Sequence, residues 1–241
     1  MIRGARVVIH ASPHPDDELI GAGATLMALR DAGWRIVNVA CGLGQLRDRD
    51  RRRAELIEAC RRARFELEIP HGLPGIGRED DFSTAQRALA VVLADAIDRH
   101  QASLAIGPSS KDGHHGHEVV GRALQDAVLA RGVPFRLMFW GLWADLGSPN
   151  VLVGFDADRL AEIQTALSAH AGELARNPYD RLVRARAEAN AVLGAERVFG
   201  FGAPRVSYQY AELLTEFTCD RARGLVPSDP HELIPGASLK G

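Results

Sequence analysis

The chain has 241 residues, of which 46% are hydrophobic and 25% are charged, and its formal net charge is −2 at pH 7. This length and composition suit one globular domain spanning residues 1–241 with a sizeable buried core. The near-neutral charge argues against nucleic acid as a partner, because such partners are held by an excess of lysine and arginine that neutralises phosphates.

Cysteine usage and hydropathy favour the cytoplasm. The three cysteines, Cys41, Cys60 and Cys219, are odd in number and lack Cys-x-x-Cys spacing, so neither a disulfide framework nor a structural zinc knuckle is indicated. The N-terminal residues do not resemble a signal peptide, and no apolar stretch approaches about 18 residues, so no membrane span is expected. We therefore expect a cytoplasmic protein. Whether it forms a homo-oligomer stays open.

The first 140 residues alternate short apolar runs with amphipathic stretches, as the βα units of a parallel sheet do. The apolar runs predict strands at 7–11, 36–41, 65–69, 104–107 and 135–142. The amphipathic stretches predict helices at 18–32, 51–64, 83–100 and 117–131. Ser83 and Gln86 have the spacing of a capping box at the start of the third of these helices.

Beyond residue 147 the pattern predicts a strand at 151–155 and helices at 156–170 and 179–193, and a proline-containing extended tail is expected at about 226–241. Together the elements predict an α/β fold with an open, mainly parallel sheet. Helices would cover both faces of this sheet, and the C-terminal extension would cover one edge. In such sheets, ligands bind outside the carboxyl ends of the strands.

One imidazole and three carboxylates lie close together directly after the first predicted strand, where residues 14–18 read His-Pro-Asp-Asp-Glu. Burying these groups costs free energy unless they find a cation or hydrogen-bond partners. His14 and Asp17 can point to one spot above the strand end, and His117, after the fourth strand, can supply a third ligand. Two histidines and one aspartate leave coordination positions open, which is typical of a catalytic zinc site.

Neighbouring side chains suit the other steps of a metal-assisted hydrolysis. Asp16 is placed to accept a proton as general base, and His114 to stabilise an oxyanion or protonate a leaving amine. Asp112 is a candidate hydrogen-bond partner of a site imidazole, and Glu18 is expected to support the turn. The alternative, in which the acids only stabilise a helix N-terminus, does not account for the histidines.

These motifs resemble those of the LmbE-like, or PIG-L-like, zinc-dependent de-N-acetylases. His-Pro-Asp-Asp-Glu at 14–18 and His114-x-x-His117 match the family's two principal motifs, and Tyr210-Ala211-Glu212 resembles a further segment. The resemblance implies a Rossmann-like fold and hydrolysis of the N-acetyl group on an N-acetylglucosaminyl unit of a small-molecule glycoside. It also implies the same site roles: zinc ligands at His14, Asp17 and His117, the base at Asp16 and the transition-state stabiliser at His114.

Substrate contacts are less sharply defined. The resemblance implies that Arg52 and one of Asp80 and Asp81 contact the sugar, whereas the arginines flanking Arg52 are expected on a solvated helix face. Trp140 and Trp143 are candidates for stacking on the substrate, with core packing as the alternative for at least one of them. Zinc is the expected metal, and another divalent ion such as Fe²⁺ is the alternative.

Two departures from the family pattern bear on local geometry and substrate contacts. The chain has Gly44-Gln45 where the family often has Gly-Glu, and His115-Gly116 where Pro-Asp is usual between the two histidines. Neither departure removes a proposed ligand. The alternative functions are a same-family amidase acting on another N-acyl group or a thiol conjugate, and a non-catalytic, metal-containing sugar-binding protein. The remaining histidines, which include His170, are expected to be ordinary core or surface residues.

Overall fold

An open sheet forms the centre of the protein in a computed structural model that describes residues 6–220 and 222–233. Its nine strands within these ranges are β1 (Val7–Ser12), β2 (Arg35–Ala40), β3 (Glu66–Glu68), β4 (Leu104–Pro108), β5 (Phe135–Trp140), β6 (Val151–Phe155), β7 (Tyr210–Asp220), β8 (Gly224–Pro227) and β9 (His231–Glu232). The strand order is β3-β2-β1-β4-β5-β7-β6-β9, with β8 paired to β7. The first five strands are parallel, and β7 is antiparallel to its neighbours β5, β6 and β8.

Helices cover both faces of this sheet. They are α1 (Asp17–Ile20), α2 (Gly23–Asp31), α3 (Arg49–Ala63), α4 (Phe82–Arg99), α5 (His115–Leu129), α6 (Ala157–Leu167), α7 (Ala171–Arg176) and α8 (Tyr179–Phe199). Successive side chains of a strand point to opposite faces. In β1, Ile9 accordingly packs in one core with side chains of α4 and α5, and Val8 in a second core with side chains of α2, α3, α6 and α8. The predicted α/β fold class is therefore confirmed.

The strand order creates a crevice between the ends of β1 and β4. β1 lies between β2 and β4. After β1 the chain adds β2 and β3 on one side, and it then crosses over to add β4 and β5 on the other. The connections that follow β1 and β4 thus leave the sheet in opposite directions, which opens a ligand-binding crevice at the carboxyl ends. The two histidine-containing motifs follow these two strands.

Two local predictions near the N-terminal half were wrong. The first predicted helix, 18–32, is split into α1 and α2, because Ala22 leaves the helical region with φ −147° and ψ 31°. The residue before it, Gly21, lies against the indole of Trp140, where a Cβ would be only 2.6 Å away. The predicted capping box is also absent. Asp81, rather than Ser83, caps α4 by accepting a hydrogen bond from the Thr84 amide at 2.7 Å.

The C-terminal third adds elements that the sequence pattern did not predict. β7 pairs with β6 through residues 210–214 and with β5 through residues 215–219. α7 was not predicted, and α8 continues beyond the predicted end at residue 193. Within the tail, β9 pairs with β6 and covers that edge of the sheet, as the predicted extension would, whereas residues 234–241 lie outside the described ranges. Among the helices described, none is long and apolar enough to cross a membrane.

Candidate metal centre

The turn after β1 directs the side chains of His14, Asp16 and Asp17 into the crevice. The Ser12 hydroxyl donates to the carbonyl of His14 at 2.8 Å, and the His14 amide donates to Asp17 Oδ2 at 3.0 Å. Between them, Asp16 has a φ of +115°, in the left-handed region. A residue other than glycine pays about 1–3 kcal/mol for such a conformation, so the surrounding contacts must hold the turn in place.

Glu18 supplies one of these contacts. Its side chain is fully buried, and Oε2 accepts a hydrogen bond from the Asp16 amide at 3.0 Å. Its other oxygen lies 2.8 Å from Nε2 of His170, which is also fully buried. Glu18 thus supports the turn, as expected. Its partner His170, at the start of α7, was not singled out, because no spacing or motif connects residues 152 positions apart in the chain.

Asp17 lies between the two imidazoles predicted to share a metal with it. Asp17 Oδ2 is 3.1 Å from His14 Nδ1 and 3.3 Å from His117 Nε2. Two donor atoms that are each about 2.0–2.1 Å from a tetrahedral zinc ion lie roughly 3.3 Å from one another. The spacing and the chemistry of these three donors therefore fit a shared divalent cation.

His114 approaches the same place. Ring nitrogens of His14, His114 and His117 lie within 4.8 Å of one another, so the three imidazoles form an alternative donor set. Nδ1 of His114 is buried and has no hydrogen-bond partner among the described residues. Burial, together with the positive charges of His117 and His14, lowers the pKa of His114 to about 4. A neutral ring at pH 7 can either coordinate a metal or donate one N–H group.

Asp112 orients His117. Its carboxylate is fully buried, and Oδ2 lies 2.7 Å from His117 Nδ1, so the predicted hydrogen bond to a site imidazole is present. The other oxygen accepts from the backbone amides of Leu142 at 2.6 Å and Trp143 at 3.2 Å. With Nδ1 held by a carboxylate, His117 directs Nε2 toward Asp17, in the way that metal-binding histidines direct their other ring nitrogen toward the metal.

The electrostatics of the centre favour a cation. Burial acts to lower the pKa of His117, but the charge of Asp17 and the hydrogen bond to Asp112 outweigh it and raise that pKa to about 10. Burial, followed by the negative charges of Asp17 and Glu18, holds the pKa of Asp16 well above its usual range. The same negative charges would favour a divalent cation at Nε2 of His117 in place of its proton.

A cleft of about 860 Å³ leads to these groups, and it distinguishes the two tryptophans. Trp143 lines the cleft, is 57% exposed, and stacks on His114 with ring centroids 5.7 Å apart. Trp140 is 1% exposed and donates its indole N–H to His10 Nε2 at 3.2 Å. Trp140 is therefore a core residue, which was the alternative prediction for one of the two tryptophans. It is no longer a candidate for contact with the substrate.

The other candidate substrate contacts differ in whether they line the cleft. Asp80 lines it and accepts a hydrogen bond from the Gly77 amide at 2.8 Å. Asp81 is exposed, caps α4 and is not part of the lining, so the structure does not support it as a sugar contact. Arg52 lines the cleft, donates to the Pro15 carbonyl at 3.2 Å and lies 3.4 Å from a carboxylate oxygen of Glu173.

Both departures from the family pattern lie in this cleft. Gln45 is exposed on its lining. At the second departure, a Cβ on Gly116 would lie 3.0 Å from His14 Nε2 and 3.1 Å from the Ile76 carbonyl. Because Gly116 has no Cβ, the His14 ring can lie this close to it. The second departure from the family pattern is therefore in contact with a proposed metal ligand.

Comparison with known protein families identifies the family of the chain. Residues 9–128, about half of the sequence, match the PIG-L family, described as GlcNAc-PI de-N-acetylase. The chain belongs to the PIG-L (LmbE-like) family. The PIG-L match contains both motifs of the metal centre, whereas Trp143 and α7 lie beyond it. No curated protein matches the chain.

Solved structures share the PIG-L fold over most of the chain. The A40926 pseudoaglycone deacetylase Dbv21 is 20% identical with a TM-score of 0.66, covering 86% of this chain and 95% of that one. N,N'-diacetylchitobiose deacetylase from Pyrococcus horikoshii is 17% identical with a TM-score of 0.66, covering 88% and 84%. GalB, the 4-carboxy-2-hydroxymuconate hydratase from Pseudomonas putida KT2440, is 17% identical with a TM-score of 0.63, covering 87% and 95%. These likenesses show the fold, and the hydratase among them means that the fold alone does not define the reaction.

Proposed function

We propose that the protein is a metal-dependent hydrolase that removes the N-acetyl group from an N-acetylglucosaminyl unit of a small-molecule glycoside, releasing acetate and a free amine. The observation that carries this proposal is the donor set His14, Asp17 and His117 beside the carboxylate of Asp16 in an open cleft. Membership of a family described as a de-N-acetylase supports the reaction class. The amino sugar and the zinc ion are part of the proposal.

Zinc, or Fe²⁺ as the alternative, would be held by His14, Asp17 and His117, where it supplies Lewis-acid chemistry that polarises a carbonyl and acidifies water. Asp16 takes a proton from the attacking water, because its carboxylate lines the cleft and accepts no hydrogen bond from the described residues. The raised pKa of Asp16 helps it to hold this proton until the leaving amine needs it. The neutral ring of His114 donates a hydrogen bond to the developing oxyanion.

Two alternatives use the same groups. An amidase for a longer acyl group or a thiol conjugate needs the same donors and base, and a sugar-binding protein needs the donors without turnover.

We also place the reaction in the cytoplasm. Cys41, Cys60 and Cys219 are all buried and free, which suits a reducing compartment.

The test measures release of acetate, and of longer acids, from a panel of N-acyl glucosaminides by protein loaded with Zn²⁺ or Fe²⁺. We expect Asp16→Asn to lower kcat by at least about 100-fold with the metal retained, because a general base contributes roughly this much. We expect His14→Ala and His117→Ala to lose the metal as well. Asp158→Asn, on the exposed first turn of α6, is the matched control.

The outcomes separate the alternatives. Wild-type turnover by Asp16→Asn means that the base is assigned wrongly. Release of a longer acid in place of acetate favours the amidase. Binding of the panel by metal-loaded protein without any hydrolysis favours the sugar-binding protein.

A further inference from the structure

The peptide unit between Pro15 and Asp16 is held at both of its polar atoms. Its carbonyl, from Pro15, accepts a hydrogen bond from Arg52 Nη2 at 3.2 Å. Its amide, from Asp16, donates to Glu18 Oε2 at 3.0 Å. Because φ describes rotation about the bond from this amide to the Asp16 Cα, contacts that fix the peptide plane also restrain the φ of +115°. A conformation that is unfavourable by itself needs such restraints.

Both of these contacts lead to one short helix, α7. The second carboxylate oxygen of Glu18 lies 2.8 Å from Nε2 of His170, directly before α7 begins. Nε of Arg52 lies 3.4 Å from Oε1 of Glu173, in the first turn of α7. Among the described residues, neither His170 nor Glu173 lines the cleft. They therefore reach the site only through Glu18 and Arg52.

The helix α7 is itself fastened to α3. The Gly172 amide donates to Glu55 Oε1 at 3.0 Å. Arg51 lies between two carboxylates, 2.8 Å from Glu55 and 3.5 Å from Glu173. Burial acts to raise the pKa of Glu173, but the charge of Arg52 outweighs it and the pKa is lower than usual. An ionised Glu173 on a fixed helix can hold the guanidinium of Arg52 in one orientation.

Folding stability alone does not explain the pair of His170 and Glu18. Both side chains are fully buried, and a buried pair of this kind often stabilises a fold no more than hydrophobic residues of similar volume. Nδ1 of His170 is also buried, and it has no hydrogen-bond partner within residues 6–220 and 222–233. A buried polar atom without a partner adds a further cost. The arrangement is better explained by the group that Glu18 holds, the Asp16 amide.

We propose that His170 and Glu173 position the catalytic base, Asp16. His170 acts through Glu18 on the amide of the peptide unit that precedes the base. Glu173 acts through Arg52 on the carbonyl of the same unit. Both are positioning residues, and both lie beyond residues 9–128, the part of the chain that matches the PIG-L family. The inference rests on the proposed function for the role of Asp16 as the base.

Variants of His170 test the inference on the full chain supplied with Zn²⁺. His170→Leu removes the ring nitrogen that faces Glu18, whereas His170→Gln places an amide nitrogen near the same point. We measure kcat and KM with the N-acyl glucosaminide that the wild type hydrolyses fastest, and zinc affinity by competition with a chelator. Protection of the Asp16 amide against hydrogen exchange is measured by NMR, which needs no turnover.

We expect His170→Leu to lower kcat by roughly 10–100-fold, because a displacement of about 1 Å in a catalytic group can cost this much. KM and zinc affinity should stay close to the wild-type values, since His170 does not line the cleft. Exchange of the Asp16 amide should become about tenfold faster, whereas His170→Gln should keep most of kcat and of the protection. The matched control is His100→Leu, which removes a histidine 2.9 Å from Glu68 and outside the cleft, and it should resemble the wild type.

Glu173→Gln tests the carbonyl end of the same peptide unit. This variant keeps the shape of the side chain and removes the charge beside Arg52, so it also serves if His170→Leu does not fold. It should lower kcat and speed exchange of the Asp16 amide. Glu162→Gln removes a carboxylate from an ion pair outside the cleft, and it should change neither quantity.

The results separate this inference from the proposed function. If the wild type hydrolyses no probe but His170→Leu still speeds exchange of the Asp16 amide, the proposed function fails and the positioning of Asp16 stands. If the wild type is active and His170→Leu keeps both kcat and the protection, the positioning is refuted while the hydrolase stands. Equal losses of kcat in His170→Leu and His170→Gln, with exchange unchanged, also overturn the inference.

Discussion

Replacing Asp112 separates what this residue contributes to the fold from what it contributes to the metal centre. Asp112→Ala leaves two buried groups without their acceptor, the Leu142 amide and Nδ1 of His117. Each such group costs about 1–3 kcal/mol, so the free energy of unfolding should fall by roughly 2–6 kcal/mol.

Asp112→Asn is expected to act differently. Its carbonyl oxygen can still accept from the Leu142 amide, which preserves most of the stability. Its NH₂ group then faces His117 Nδ1 and donates to it, so the imidazole proton moves to Nε2. That nitrogen lies 3.3 Å from Asp17 and is the one needed for the metal. Zinc affinity should therefore fall by about 10–100-fold, the usual effect of losing an outer hydrogen-bond partner.

Urea unfolding of metal-stripped protein and competition for zinc with a chromophoric chelator measure the two effects. Asp81→Ala is the control, because it removes an exposed cap of α4 at a cost of about 1 kcal/mol and should leave zinc affinity unchanged. The reasoning is refuted if Asp112→Asn binds zinc as tightly as the wild type, or if Asp112→Ala is as stable as Asp112→Asn.

Three further predictions follow from buried contacts. Glu18→Ala should lower kcat with zinc retained, because it removes the acceptor of the Asp16 amide. Glu18→Gln keeps an acceptor and should retain most of kcat. Equal losses of kcat in the two variants would show that this hydrogen bond does not position Asp16. Gly21→Ala places a Cβ 2.6 Å from the Trp140 indole and should cost about 1–3 kcal/mol, whereas Gly147→Ala meets open space; equal urea midpoints would contradict this. Burial raises the pKa of Glu212, so the folded protein takes up its proton more readily than the unfolded chain, and the unfolding free energy falls as pH rises from the usual carboxyl pKa through the raised one. Glu212→Gln should lose this part of the pH dependence in urea titrations between about pH 4 and 8, and an unchanged slope would show that another group is responsible.

Local spacing was sufficient for the parts of the fold that depend on it. The central parallel strands are apolar runs buried on both faces, and the helices that cover them show regular three- and four-residue spacing. β1 to β5 and α3 to α5 were accordingly predicted to within a few residues, including the short edge strand β3, whose residues are polar and apolar in alternation. The order of these elements also placed the two histidine motifs at one edge of the sheet. The meeting of His14, Asp17 and His117 follows from that order.

Contacts between distant segments could not be read from spacing. The contact of Gly21 with the indole of Trp140 and the pairing of Glu18 with His170 each join segments more than 100 positions apart in the chain. β7 was missed because it pairs with β5 along one half and β6 along the other, so no single alternation describes it. The spacing of Arg49 and Arg53 around Arg52 could have indicated a shared face, although only the fold shows that this face borders the cleft.

The left-handed backbone at Asp16 sets thermal stability against activity at one position. Glycine adopts this conformation without strain, and it would also remove a carboxylate that the fold must bury. Asp16→Gly is therefore expected to melt at a higher temperature than the wild type and to be inactive. A screen of variants for stability alone would favour this substitution and so discard the proposed base.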